Sequence, residues 1–182
     1  MEKIENEYNI EWAKNQVIPE FVLFYGHFSR NNEITKSCLS QWYPCKFKDD
    51  DFEYNTAEQY MMIQKAKLFE DNEILNEIIK AKSPKEYKAL GRKVKNFNRK
   101  KWDEKKLNIV FKGNMLKFSQ NEELKNFLLS TNDKILAEAS PYDKIWGIGI
   151  GEDDKDAYNI EKWKGENLLG IALMKVREEL GK

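Results

Sequence analysis

The sequence predicts a helix-rich α+β fold, and three observations lead there. Helix-start and helix-stop signals recur between Thr56 and Leu129. A last amphipathic segment, Asn167 to Leu180, puts Leu169, Ala172, Leu173, Val176 and Leu180 on one face. Short β-type runs are confined to Phe21–Tyr25, Phe47–Tyr54 and Ile135–Ala139.

In chain order, residues 1–20 form a polar lead-in with some helical character, and residues 21–182 form the domain proper. Phe21-Val-Leu-Phe-Tyr25 is an apolar strand closed by Gly26, and Ser29 to Lys46 is loop-like. Phe47 to Tyr54 alternates weakly about Asp49-Asp50-Asp51, as a hairpin does. Thr56 and Gln59 have capping-box spacing and open a helix that runs to about Phe69. A short helix follows over Asn72–Ile79. Ser83-Pro84-Lys85-Glu86 then combines an N-cap, a first-turn proline and a capping Glu, and Gly91 closes that helix. Lys100–Phe118 is the longest helical candidate and Asn121–Leu129 another. Ile135–Ala139 reads as a strand, and an acidic loop spans Gly151–Glu161.

Composition narrows the chemistry. A chain of 182 residues, 41% hydrophobic and 13% aromatic, can bury a core. Lys plus Arg and Asp plus Glu number 31 each, so no global basic field captures polyanions, and any anionic substrate group must be held by a few placed residues. Cys38 and Cys45 belong to no metal-ligand pattern and are expected as reduced thiols. His27 is the only histidine, which argues against zinc and against a Ser–His–Asp engine. The start is polar and no run approaches a membrane span, so a soluble, cytoplasmic protein is expected, without metal or cofactor.

One helix carries an anomaly. With about 100° per residue, Lys65 lies about 20° from Glu58, among Met61, Met62, Leu68 and Phe69. An acid and an amine thus occupy an apolar arc. Seven residues put their backbones roughly 10 Å apart, too far for a helical surface pair and suited to flanking something small. A partly desolvated lysine can form a Schiff base with a sugar aldehyde, and a glutamate can shuttle protons. Alternatively, Lys65 snorkels to water while Glu58 caps or pairs elsewhere.

Two other segments carry alternatives of their own. Asp143-Lys144-Ile145-Trp146 could bind a sugar hydroxyl and stack a base, or form a tight turn whose Trp plugs the core. Arg92 belongs to a basic stretch that reads as a solvated face or as a phosphate site. Trp102 falls on the core side of its helix by periodicity. Gly147-Ile148-Gly149-Ile150-Gly151 lacks dinucleotide-binding spacing.

The blocks LSQWYPCKF (39–47), YNTAEQYMMIQKAKLF (54–69), GRKVKNFNRKKW (91–102), 113–118, LAEASPYDKIWGIG (136–149) and WKGENLLGIALMKVREEL (163–180) together resemble the NADAR (YbiA-like) family. The resemblance spans about Phe24 to Leu180. It implies a small helix-rich α+β domain of the YbiA-like type and an N-glycosidase activity. Members of the family cleave ribosylamino-pyrimidine phosphates of riboflavin synthesis or remove ADP-ribose from guanine. The partner implied is a small nucleotide-like substrate carrying ribosyl phosphate or ADP-ribose, with ADP-ribosylated guanine in DNA as a further form. Carried over by position, Glu58, Lys65 and Asp143 are catalytic, with the covalent role at Lys65. Trp102, Trp146, Arg92 and Asn167 bind substrate. A non-catalytic ADP-ribose-binding module is the alternative. The family often has a compact SNF-type loop where this chain has Ser29 to Trp42, at the expected substrate end of the pocket.

Overall fold

The computed structural model describes residues 19–28, 33–50 and 52–182, with Glu11, Lys14 and Asn15. The lead-in over 1–20 and its helical reading lie largely outside the described residues. The elements in order are β1 (Phe21–Phe24), β2 (Phe47–Asp49), β3 (Phe52–Tyr54), α1 (Ala57–Leu68), α2 (Asn72–Lys80), α3 (Pro84–Gly91), α4 (Arg99–Ser119), α5 (Glu122–Ser130), β4 (Ile135–Glu138) and α6 (Leu168–Leu180). Short 3-10 turns occur at Lys36–Leu39, Lys155–Tyr158 and Ile160–Lys162, within segments whose sequence reads as loop. The fold is helix-rich α+β, as the sequence predicts. The chain gathers into two compact units, one of residues 1–40 and 122–182, the other of residues 41–121.

The central unit, residues 41–121, is built around α1. Thr56 Oγ1 accepts from Gln59 N at 3.1 Å, and Gln59 Oε1 accepts in return from Asn55 N at 2.8 Å. The capping box forms, its return bond made one residue before the cap, and such caps are typically worth about 1 kcal/mol. Helices α2, α3 and α4 all pack on α1, which therefore has almost no solvent face: Glu58, Gln59, Tyr60, Met61, Met62 and Ile63 are all buried. Both sides of the helix are interior, so an apolar arc against a wet face is too simple a picture. Ser83 Oγ caps α3 by accepting from Glu86 N, and Asn98 Oδ1 caps α4 by accepting from Lys101 N. Between them, the Asp71 carboxylate caps α2 and accepts from Lys95 N, and those backbone N–H groups hold it below the usual carboxylate range.

The β2–β3 hairpin pairs Phe47 with Tyr54 and Asp49 with Phe52. It stacks Phe47 on Tyr54 (5.4 Å) and sets Tyr54 edge-on to Tyr60 of α1 (5.0 Å). Burial, aided by Asp49, pushes the Tyr54 phenol up to about 12 and raises Tyr60 as well.

In the unit of residues 1–40 and 122–182, β1 and β4 pair in parallel, Phe21 opposite Ile135 and Phe24 opposite Glu138. A core of Leu23, Ala137, Ala139, Ile148, Ile150 and Ala157 forms there, with Phe21 and Trp163 against it. Helix α6 approaches β4 so closely that a Cβ at Gly170 would overlap Leu136 O.

Two outcomes follow from these contacts. Gly170→Ala should destabilise the protein by roughly 1–3 kcal/mol, because the atom it meets is backbone; thermal unfolding monitored by circular dichroism reads this directly. A phenol whose pKa is raised in the folded state stabilises fully below the unfolded value near 10, and that contribution fades as pH rises toward about 12. The melting temperature should therefore drop as pH rises above 10; a melting temperature that stays level between pH 10 and 12 would contradict it.

Candidate active site

Glu58 is the second residue of α1, where backbone N–H groups have no partner within the helix. Its own N–H donates to the Gln41 carbonyl at 2.9 Å, tying the helix start to the preceding loop. The residue is only 3% exposed. A glutamate so placed is held by α1 rather than by a mobile loop.

Lys65 lies two turns further on. Its Nζ donates to the Gly91 carbonyl at 2.7 Å and sits 4.6 Å from the Phe97 ring centroid and 5.4 Å from that of Trp102. A Cβ at Gly91 would overlap Met62 Sδ, so any larger residue at the end of α3 would oblige the Met62 side chain to move. Burial pushes the Lys65 amine below its ordinary pKa; the nearby Arg92 charge adds to that, and Glu58 opposes it. Lys65 is half-buried, with its amine beside two aromatic rings. Arg92, the C-cap of α3, is exposed and forms no ion pair among the described residues. The structure thus gathers Lys65, Arg92 and Trp102 around one amine, with Glu58 acting on it electrostatically.

A cleft of about 510 Å³ opens where α1 ends and α4 begins, lined by Phe69, Asn98, Lys100 and Lys101 among others. It does not include Glu58 or Lys65. Phe97, 46% exposed, packs on Phe69 beside it (5.3 Å).

The other expected residues belong to the second unit. Asp143 Oδ1 accepts from Ile145 N (3.0 Å) and Trp146 N (2.8 Å), building a tight turn. Carbonyls of that turn accept from the N–H groups that open α6: Ile145 O from Leu168 N, and Trp146 O from Leu169 N. Trp146 is half-buried. Asn167, at positive φ and 2% exposed, has its amide engaged at both ends by β4: Oδ1 accepts from Glu138 N and Nδ2 donates to Leu136 O. These three residues build local structure whatever else they do.

Sequence reasoning passed over Gln41, Phe97 and the Gly91 carbonyl. Phe97 had a signal, an aromatic residue alone in a basic stretch. A backbone carbonyl has none, and Gln41 had only its place in the Ser29–Trp42 segment expected at the substrate end. Among the described residues no three His, Cys, Asp or Glu side chains gather as a metal site, and no helix is long and apolar enough to cross a membrane.

Glu58 and Lys65 thus share one helix of a helix-rich α+β fold, the first buried and the second partly desolvated. The NADAR domain matches residues 27–181, and the chain belongs to the NADAR domain family. It is 47% identical over 167 residues to N-glycosidase R617 of Acanthamoeba polyphaga mimivirus, covering 88% of this chain and 96% of that protein. It is 33% identical over 156 residues to N-glycosidase YbiA of Escherichia coli (strain K12), covering 86% and 82%. The NMR structure of E. coli YbiA superposes with a TM-score of 0.70 at 28% identity, over 93% of this chain and 91% of that one. The chloroplastic riboflavin biosynthesis protein PYRR of Zea mays is 35% identical over 139 residues, 72% of this chain but 20% of that protein.

Since its pKa is depressed, Lys65 should react with an amine-directed reagent with a pH midpoint below the usual lysine value near 10.4. Arg92→Ala should move that midpoint upward. Peptide-resolved labelling across pH measures both; a Lys65 profile identical to those of exposed lysines would refute the desolvated site.

Proposed function

We propose that this protein is an N-glycosidase that hydrolyses the C1′–N bond of a phosphorylated ribosyl compound, with Glu58 and Lys65 as its catalytic residues. The names of its relatives support N-glycosidase activity in general. The observation that carries the chemical reading is the Lys65 amine, depressed in pKa between Gly91 O, Phe97 and Trp102. One of its hydrogens is held by the Gly91 carbonyl, which leaves the lone pair of the neutral amine directed elsewhere. As the C1′–O bond of the ring breaks, that lone pair adds to C1′ and one amine proton passes to the ring oxygen. The C1′–N bond then breaks as the leaving nitrogen takes a proton from Glu58, which regains it from the amine as the C1′=N bond forms. Water then hydrolyses the Schiff base, releasing the sugar and restoring the amine. Arg92 holds the phosphate and Trp102 flanks the base. A catalytic role for Asp143, and a substrate role for Trp146 and Asn167, rest on the family resemblance alone.

The riboflavin-linked relative favours a ribosylamino-pyrimidine phosphate as substrate. A second reading, removal of ADP-ribose from guanine, is favoured by the cleft with Lys100 and Lys101 and the exposed Phe97, which offer cations and a stacking face to a larger anion.

Incubation with each substrate in turn decides between them, and turnover of only one identifies the branch. Tight ADP-ribose binding with no turnover of either would instead mark a non-catalytic module. Borohydride added during turnover should leave a reduced sugar adduct on Lys65, seen by peptide mass. If none forms while hydrolysis proceeds, the covalent route is excluded and a carboxylate-activated water remains. Glu58→Gln should lower kcat by about 10²–10⁴-fold with little change in substrate binding.

A further inference from the structure

We propose that Gln41 is a substrate-contacting residue, its amide held by Asn114 so that its N–H groups face a hydroxyl of the substrate's sugar. The assignment rests on the reading of the substrate as an N-ribosyl compound.

Gln41 is only 7% exposed, and the two ends of its amide are treated differently. Its Oε1 accepts from Asn114 Nδ2 at 2.9 Å. Asn114, fully buried on α4, is itself fixed by a second bond from the same Nδ2 to Val110 O at 2.9 Å. Because both partners of Nδ2 are acceptors, the Asn114 amide has one orientation. That orientation forces the Gln41 oxygen inward and its nitrogen outward. Gln41 Nε2 makes no hydrogen bond among the described residues, and unlike Asn114 Oδ1 it is not sealed from solvent. A nearly buried amide with a pinned acceptor and unused donors is a site awaiting an oxygen.

Its place in the fold says whose oxygen. The Gln41 carbonyl accepts from Glu58 N, so this residue and the glutamate branch from backbone atoms in direct contact. The next residue, Trp42, lies 5.9 Å from Lys88 Nζ on α3, the helix whose final carbonyl holds Lys65. Asn114 acts through Gln41 and is a positioning residue. The unpartnered Asn114 Oδ1 fits this, since the amide is placed for Gln41 at the expense of its own second bond.

The test is calorimetric binding of ribose 5-phosphate, and of its 2-deoxy and 3-deoxy analogues, to the full chain and to Gln41→Met, Asn114→Leu and the double variant. Gln41→Met should weaken ribose 5-phosphate binding at least tenfold. For one of the two analogues, the gap between wild type and Gln41→Met should close, which a loss of packing alone would not produce. Asn114→Leu should weaken binding in the wild-type background and add nothing in the Gln41→Met background. Should Gln41→Met unfold, Gln41→Glu keeps the bond to Asn114 while removing the outward donors, and should show the same closing gap. Equal affinity in wild type and Gln41→Met, or no binding of ribose 5-phosphate by the wild type, overturns the assignment. Binding that depends on Gln41 in a protein that hydrolyses no N-ribosyl compound would leave it standing and sink the catalytic reading instead.

Discussion

The burial of α1 on nearly all its sides governs the central unit. Three helices press on it, so Glu58 and Lys65 cannot be solvated in the ordinary way, and each must be accommodated by its neighbours. Lys65 finds the Gly91 carbonyl and two aromatic rings. Those neighbours accept the ammonium without neutralising it, which is why burial still lowers its pKa. A carboxylate in direct contact would have produced a structural ion pair with a raised lysine pKa and no nucleophile.

The same crowding shows at the end of α3. At Gly91 the missing side chain lets α3 end against Met62, and that proximity delivers the carbonyl to Lys65. Local chain geometry and site chemistry are therefore one constraint. Nearby, caps supplied by Thr56, Asp71, Ser83 and Asn98 fix where α1 to α4 begin, and so fix the register of the side chains they present.

Much of the fold was legible because its signals are local. Capping residues, the proline at the start of α3 and the apolar face of α6 each act within a few residues, so they located helices to within a residue or two. The site was legible in part. Glu58 and Lys65 share a face by arithmetic alone, Arg92 stood in a basic stretch as a candidate phosphate site, and a substrate role for Trp102 came from family resemblance. The reading of α1 as one-sided was incomplete, since Gln59 on its other face is buried too, by the capping bond to Asn55 N.

By itself the sequence determined the helix-rich α+β class, the element order, the coincidence of Glu58 with Lys65, and the family. Only the tertiary structure decided what environment those groups meet. Gln41 and Asn114 are 73 residues apart, and Lys65 and Gly91 are 26 apart. No periodicity within one helix reports a partner on another. It likewise took packing to seal Lys117 completely, beside Tyr43 and Phe118, and to turn Asp143 into the cornerstone of a turn. Side-chain chemistry is written residue by residue, but desolvation and hydrogen-bond partnership belong to the space that several segments enclose together.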